Sequence, residues 1–509
     1  MPQTHFVMIN YLWAAGLLLL AACAQELSTA QTNSVDREQP PNVLFLVIDD
    51  LGYADLAPFG ATNSAAPTSN LAALVRRGTA YTQAYVSAPV CSPSRVGLLT
   101  GKNQFRWDVP ASWGPGLPDS VRTIAEVLRD GGYATARIGK NDLGRNFHQY
   151  EPREYPLRHG YQEFLGFNAH AHDYWLLSDS IRDLTPDPSG TSAVLGPLMH
   201  NEGEKSYEEG YLTDILTDEA IDYLGRDRDR PFFLTLAYAS VHHLIHEVPA
   251  KYLEKYGVKE IPNYDPNDTL SFARHPAGSY SAYYDKYSRT GDIAPDAMRG
   301  YYLANLHCLD DNIGRLTAAL RDLGLEENTL IVLISDNGGS PLTGADNAPL
   351  TGGKYSLWEG GIRVPMAVVL PGTFEPDTEI DRPVSALDVF PTVARLTGAG
   401  SRELTADPTL DGTDLLTVPE GERLFVWKWQ DTWAVRRGRW KLTNAHDNHW
   451  KSAPTVQYLA PVVDNNRPKL FDLAADPGER EDLAESRPEI VTELHQAYTD
   501  WIAKEVGSY

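Results

Sequence analysis

Cysteine is almost missing: Cys23, Cys91 and Cys308 are the only three in 509 residues. Their wide separation leaves neither a disulfide framework nor a multi-cysteine zinc site, so each thiol needs its own explanation. Positive charge is also scarce. With 44 Lys plus Arg against 68 Asp plus Glu the net charge is −24, which repels a phosphate backbone and argues against general nucleic-acid binding. An anionic ligand must therefore meet a local cluster of cations. No internal repeat or low-complexity tract is present. Hydrophobic residues make up 42% and charged residues 22%, which excludes a disordered chain and a coiled coil, while the length suggests two or more domains.

Long apolar runs are lacking too. Residues 12–22 (LWAAGLLLLAA) fall short of a membrane-spanning helix of ~20 residues and read as the apolar core of a signal peptide over 1–22. A polar linker follows over 23–40. LAAC, ending at Cys23, resembles the lipobox of bacterial lipoproteins, in which the cysteine is acylated and becomes the mature N-terminus. The segment before it, MPQTHFVMINY, departs from such signals in having no Lys or Arg. The expectation is an exported protein of the periplasm or cell surface, held at the outer membrane by a lipid anchor on Cys23.

Four continuous apolar runs are present, at residues 42–48 (NVLFLVI), 134–138, 231–238 (PFFLTLAY) and 329–334 (TLIVLI), and they read as strands buried on both faces of a parallel sheet. Helical patterns separate them. Ser120 is expected to cap a helix with Val121, Ile124, Val127 and Leu128 on one face and Gly131 and Gly132 at its end. Further helices are expected at 69–77, 211–224, 296–323 and 386–396. This predicts an α/β fold with a large mixed, mostly parallel sheet flanked by helices and a site beyond the carboxyl ends of its strands. Past about residue 416 the texture changes: residues 425–442 alternate and turn at Gly438, predicting an antiparallel hairpin, and 488–506 predict a closing helix. The expected division is a catalytic domain over 41–415 and a smaller C-terminal α+β domain with antiparallel sheet over 416–509.

The chemically loaded residues follow the predicted strands. Asp49 and Asp50 come after the first, Lys140 after the second, His242 after the third, and Asp336 with Asn337 after the fourth. The switch-point rule brings them together. Three carboxylates and an amide form a hard, all-oxygen set suited to Ca²⁺ or Mg²⁺ and poor for zinc. Taken singly, each pair is an ordinary turn or cap; two such pairs on two buried strands point to a metal site.

Residues 91–101, CSPSRVGLLTG, are more specific. They resemble the signature C-x-P-S-R-x-x-x-L-T-G of the type I, formylglycine-dependent sulfatases of the alkaline phosphatase-like superfamily, and every fixed position matches. The resemblance implies that a maturation enzyme oxidises Cys91 to formylglycine, whose hydrate attacks sulfur and whose spare hydroxyl allows sulfate to be expelled. Pro93 suits the first turn of a helix, which would set Cys91 at a helix N-terminus, favourable to anions, with Arg95 four residues on along the same face. PNVLFLVIDDLGYADL and LIVLISDNGG look like the family's two metal-binding strands, which implies one Ca²⁺, or Mg²⁺, on Asp49, Asp50, Asp336, Asn337 and modified Cys91. GGKYSLWEGGIRVP (352–365) is close to its lysine-bearing loop, implying that Lys354 meets the substrate sulfate. LHCLDDNIGRL and FDLAADPGEREDLA are family-like as well. The same correspondence makes Lys140 a second sulfate-binding lysine and His242 the general acid on the leaving oxygen.

Two departures stand out. The family usually continues its lysine as G-K-W-H-L-G, whereas this chain has GKNDLG, so Asp142 occupies the place of a histidine near the nucleophile and is a catalytic candidate, to accept a proton from the aldehyde hydrate or orient it, unless it faces away to cap the loop or bind a substrate hydroxyl. VHHLIH offers His242, His243 and His246 without the usual proline; register favours His242, with His243 as fallback. A divalent ion with Arg95, Lys140 and Lys354 gives +5 against −3 from Asp49, Asp50 and Asp336, and an ionised Asp142 leaves a surplus of +1, matched to a monoanionic sulfate ester. GFNAHAHDYW (166–175) reads as a packed loop, a sugar-contacting wall or, least of all, a zinc site through His170 and His172. The leading expectation is therefore a hydrolase of sulfate esters on a carbohydrate, partnered by a maturation enzyme. The alternatives are a phosphodiester or phosphonate ester hydrolase of the same superfamily and a surface lipoprotein that binds sulfated glycan without turnover.

Overall fold

The computed structural model describes residues 39–60, 66–107, 116–143, 150–181, 193–272, 275–289, 293–400, 407–417, 421–445 and 467–506. The expected signal peptide, Cys23 and the linker up to residue 38 lie outside the described residues.

The large sheet runs, from edge to edge, Thr378–Ile380, Thr79–Tyr81, Met366–Val369, Thr329–Ser335, Asn42–Ile48, Phe232–Ala237, Ala134–Lys140, Glu163–Phe167, Leu198–His200 and Gly203–Lys205. The five strands from Thr329–Ser335 to Glu163–Phe167 are mutually parallel, and antiparallel pairs border them on both sides. All four predicted strands are among these five, because only a strand covered on both faces tolerates an unbroken apolar run. Leu44, Leu46 and Ile48 enter one core, beneath the helices Ser69–Arg76, Leu212–Leu224 and Pro295–Asp322. Val43, Phe45 and Val47 enter the opposite core, beneath Cys91–Thr100, Ile124–Asp130 and Val389–Thr397. Truncating one such residue, as in Leu46→Ala, costs about 2–5 kcal/mol through lost burial and the cavity left behind. Cys308 is a buried member of the first core.

Two local expectations are corrected. The helix after residue 120 begins at Ile124, and its cap is Thr123 rather than Ser120: Thr123 accepts from the Glu126 N–H while the Glu126 carboxylate accepts from the Thr123 N–H. Satisfying two backbone donors at once outweighs a lone serine three residues earlier. The C-terminal hairpin is a meander of Leu424–Trp429, Thr432–Arg437 and Trp440–Thr443, joined by a fourth strand, Lys469–Asp472. Gly438 turns as expected with φ 55°, but Gln430 makes an earlier turn at φ 53°. The helix Pro488–Glu505 covers this sheet through Leu494. Trp427 Nε1 donates to Val86 O at 2.7 Å, and buried Lys441 Nζ lies 2.9 Å from Glu359 and 2.8 Å from Glu479, fastening the small antiparallel sheet to the loop after Lys354. No helix among the described residues is long and apolar enough to cross a membrane.

Candidate active site

Parallel register decides what meets at the carboxyl edge of the sheet. Ile48 lies opposite Ser335, Val47 opposite Ala237, and Ala237 opposite Gly139. The next residues along these strands are Asp49 and Asp50, Asp336 and Asn337, and Lys140, while His242 follows five residues after Ala237. Gly139 makes the close approach feasible: at φ 98°, an added Cβ would lie 2.0 Å from Ala237 O. Cys91 is the first residue of the helix Cys91–Thr100, preceded by extended Val90, and Arg95 lies one turn further along. Lys354 enters from the loop between Thr329–Ser335 and Met366–Val369.

The sequence-selected residues converge into one buried network. Each carboxylate has its cation. Lys140 Nζ lies 2.7 Å from Asp49 Oδ2, Lys354 Nζ lies 2.8 Å from Asp50 Oδ2, and Arg95 Nε donates to Asp336 Oδ2 at 2.8 Å. Lys354 also reaches Cys91 Sγ at 3.3 Å, and that sulfur is 3.6 Å from Asp49 Oδ1. Arg137, which the sequence reading passed over, donates to Lys140 O at 2.7 Å and shares that carbonyl with Arg95, fixing the end of the lysine-bearing strand.

Burial sets the electrostatics. Cys91 is 0% exposed, and burial pushes its thiol well above the ordinary range despite Lys140 and Lys354. Burial and then the Asp336 charge push Asp49 up to about 8 against Lys140 and Arg95. Asp50 is also raised by burial, which outweighs Lys354. Asp336 is the opposite case: burial raises it, but Arg95, Lys140 and Lys354 together hold it below the usual carboxylate range. His242 is pressed well below the imidazole range by burial, then by His243 and the two lysines.

The donor set fits a hard divalent cation. Donor atoms of Asp49, Asp50, Cys91 and His242 lie within 4.8 Å of one another. Asn337 Nδ2 donates to Asp50 Oδ1 at 2.6 Å, while its buried Oδ1 makes no hydrogen bond. Asp336 Oδ1 is turned to the Asp50 N–H at 3.3 Å. An orphaned amide oxygen beside three crowded carboxylates is what a Ca²⁺ or Mg²⁺ ligand shell supplies.

The histidines sort by position. His242 Nε2 is 3.7 Å from Asp50 Oδ2, whereas the His243 ring packs near Tyr284 at 5.7 Å and His246 Nε2 pairs with the Tyr283 hydroxyl at 2.8 Å. Asp142 Oδ2 lies 3.2 Å from Lys140 Nζ and 3.8 Å from His170 Nδ1. The 166–175 segment, expected as a loop, begins as the strand Glu163–Phe167, which runs parallel to Ala134–Lys140. His170 therefore reaches the site, its ring 4.4 Å from that of His242, while His172 turns to Asp173 O and Trp175 packs on Tyr211. Glu247 accepts from the Tyr174 N–H at 3.0 Å, tying the His170 segment to the His242 segment. Asp50, Asp142, Leu244 and Tyr355 adopt positive φ of 51° to 70° within or next to this network. Such conformations cost energy in non-glycine residues and concentrate where function fixes the backbone.

Comparison with known proteins points one way. A family model described as Sulfatase matches residues 41–399. Arylsulfatase A of Homo sapiens is 30% identical, over 94% of this chain and 89% of its own length. N-acetylgalactosamine-6-sulfatase of Homo sapiens is 28% identical, over 87% of this chain and 81% of its own. The crystal structure of Ps i-CgsB in complex with k-i-k-neocarrahexaose superimposes with a TM-score of 0.71 at 27% identity, covering 91% of this chain and 93% of that one.

Proposed function

Because the chain belongs to the sulfatase family and is a hydrolase of sulfuric esters, we propose that it removes sulfate from a sulfated carbohydrate, with residue 91 matured to formylglycine and one Ca²⁺, or Mg²⁺, beside it. The observation that carries this reading is the setting of Cys91: first in its helix, 3.3 Å from Lys354 and 3.6 Å from Asp49, with a thiol that burial keeps protonated. A buried neutral thiol is a poor nucleophile, so this position calls for modification rather than direct thiolate attack. Once formed, the formylglycine hydrate supplies an oxygen nucleophile for sulfur and a second hydroxyl for freeing sulfate. The bound cation supplies positive charge to the sulfuryl oxygens.

The chain's own residues do the rest. Asp49, Asp50, Asp336 and Asn337, with an oxygen of matured residue 91, would hold the cation. Arg95, Lys140 and Lys354, now paired with the carboxylates, orient and neutralise the sulfate ester. His242 holds the proton for the leaving alcohol; an anionic ester beside it counters the burial and lysine charges that press it down. Lys140 keeps Asp142 ionised, supporting the surplus of one positive charge that favours a sulfate monoanion over a phosphate dianion. The carbohydrate class is supported by the two relatives whose names carry a sugar. Export, the lipid anchor at Cys23 and a formylglycine-generating partner belong to the same proposal. The test is release of inorganic sulfate from a panel of sulfated oligosaccharides by matured protein. An aryl sulfate and an aryl phosphodiester are run alongside; faster phosphodiester cleavage, or glycan binding without sulfate release, refutes it.

A further inference from the structure

We propose that the histidine absent from GKNDLG is replaced from the neighbouring strand: His170, oriented by Asp142, is the proton acceptor beside residue 91. This rests on the sulfatase reading above. Topology carries the inference first. Lys140 and Phe167 are partners in adjacent parallel strands, so Asp142, two residues beyond the first, and His170, three beyond the second, emerge at the same level. His170 is thus delivered to the place where the sequence lost its histidine, by an element 28 residues later in the chain.

Geometry carries it further. Donor atoms of His170, Cys91 and His242 all lie within 4.8 Å of one another. Asp142 Oδ2 faces Lys140 Nζ at 3.2 Å and His170 Nδ1 at 3.8 Å. A carboxylate facing Nδ1 selects the tautomer with its hydrogen there and leaves the lone pair on Nε2. The segment is anchored at its far side, where Asp173 Oδ1 accepts the N–H groups of Trp175 and Leu176 and Glu247 accepts that of Tyr174. His170 is therefore the catalytic residue and Asp142 a positioning residue. In the step assigned to them, an O–H bond on residue 91 breaks with its electron pair staying on oxygen, and the proton forms an N–H bond at His170 Nε2. Asp142 keeps its charge throughout.

Two readouts test this. With residue-91 conversion checked by mass spectrometry in every variant, His170→Ala and His170→Gln should each lower kcat on an aryl sulfate about 10²- to 10⁴-fold with a smaller change in KM. Asp142→Asn should also act mainly on kcat, and adding it to His170→Ala should cost far less than Asp142→Asn costs alone, because Asp142 works chiefly through the imidazole. Imidazole added to His170→Gly should restore part of the rate, which a merely structural role would not allow. The second readout needs no turnover: in histidine-labelled protein with unconverted Cys91, the side-chain ¹⁵N shifts of His170 should report the Nδ1–H tautomer and change in Asp142→Asn. Independent, multiplicative losses in the double variant, full kcat in His170→Gln, or a tautomer indifferent to Asp142 each overturn the proposal. A fully converted parent that frees no sulfate from any ester refutes the sulfatase reading instead, and the tautomer still decides the pairing.

Discussion

On the proposed cation site, Asp49 should make metal binding a proton-release reaction. Its carboxyl is wholly buried, and burial with the Asp336 charge raises it to about 8. A hard cation takes the carboxylate, not the acid, so below that pH binding must expel a proton. Affinity should therefore climb with pH up to about 8 and then level off. Each pH unit below that point costs about 1.4 kcal/mol, so between pH 6 and 8 the loss is about 2.7 kcal/mol, or ~100-fold in Kd. Because Asp50 and Asp336 share the site, the proton belongs to the carboxylate group as a whole, and the count to expect is one for the set. Calorimetric Ca²⁺ titrations of chelator-stripped protein at pH 6, 7 and 8, in buffers of different ionisation heat, measure both affinity and protons released. Without metal, a group raised above its unfolded value of 3.8 contributes stability fully present below about 4 and lost as pH rises toward 8; saturating Ca²⁺ should erase this contribution. Equal affinities at pH 6 and 8 with no proton released would show that Asp49 is already ionised before metal binds and refute its role as the proton source.

Mass spectrometry of the peptide holding residue 91, after co-expression with a maturation enzyme, should show formylglycine; active protein carrying only cysteine there ends the proposed mechanism. His242→Ala should slow sugar sulfates, whose leaving groups are basic, ~10²- to 10⁴-fold while sparing activated aryl sulfates. If His243→Ala shows that selective loss instead, the assignment is off by one residue. Lys441→Met should destabilise the fold by about 3–5 kcal/mol in denaturant titrations, because buried Glu479 loses its cation while Glu359 keeps only Arg363 at 3.8 Å and the Arg436 charge, and adding Glu479→Gln should recover part of it. A loss below about 1 kcal/mol would mean that the cluster is open to water.

The central strands and the carboxyl-edge residues were legible because unbroken apolar runs and the groups just after them are local patterns. Lys354, on a loop, was legible only through its motif. Glu163–Phe167 was not: its five residues, EFLGF, include a charge and a glycine, and its burial is conferred by Ala134–Lys140 alongside rather than by its own pattern. Missing that strand hid His170, which sequence placed in a loop and topology places beside Asp142. The Gln430 turn escaped for a related reason, since glutamine carries no turn preference and only the pairing of Trp429 with Thr432 fixes it. The Thr123 cap was readable in T-x-x-E but was outcompeted by an earlier serine.

The burial of Cys91 also sets a clock. Its buried thiol is contacted by Lys354, a residue made 263 positions later. At ~5–20 residues per second, the ribosome takes roughly 10 to 50 s to cover that distance. During that interval Cys91 has been made and its cover has not. Under the proposed maturation, an enzyme that oxidises it would have to catch a chain still being made or not yet folded, and a chain that closes early would be locked as the inert thiol. The yield of working protein is then decided by a race between folding and oxidation, and slowing synthesis or folding should raise it without changing a single contact in the finished molecule.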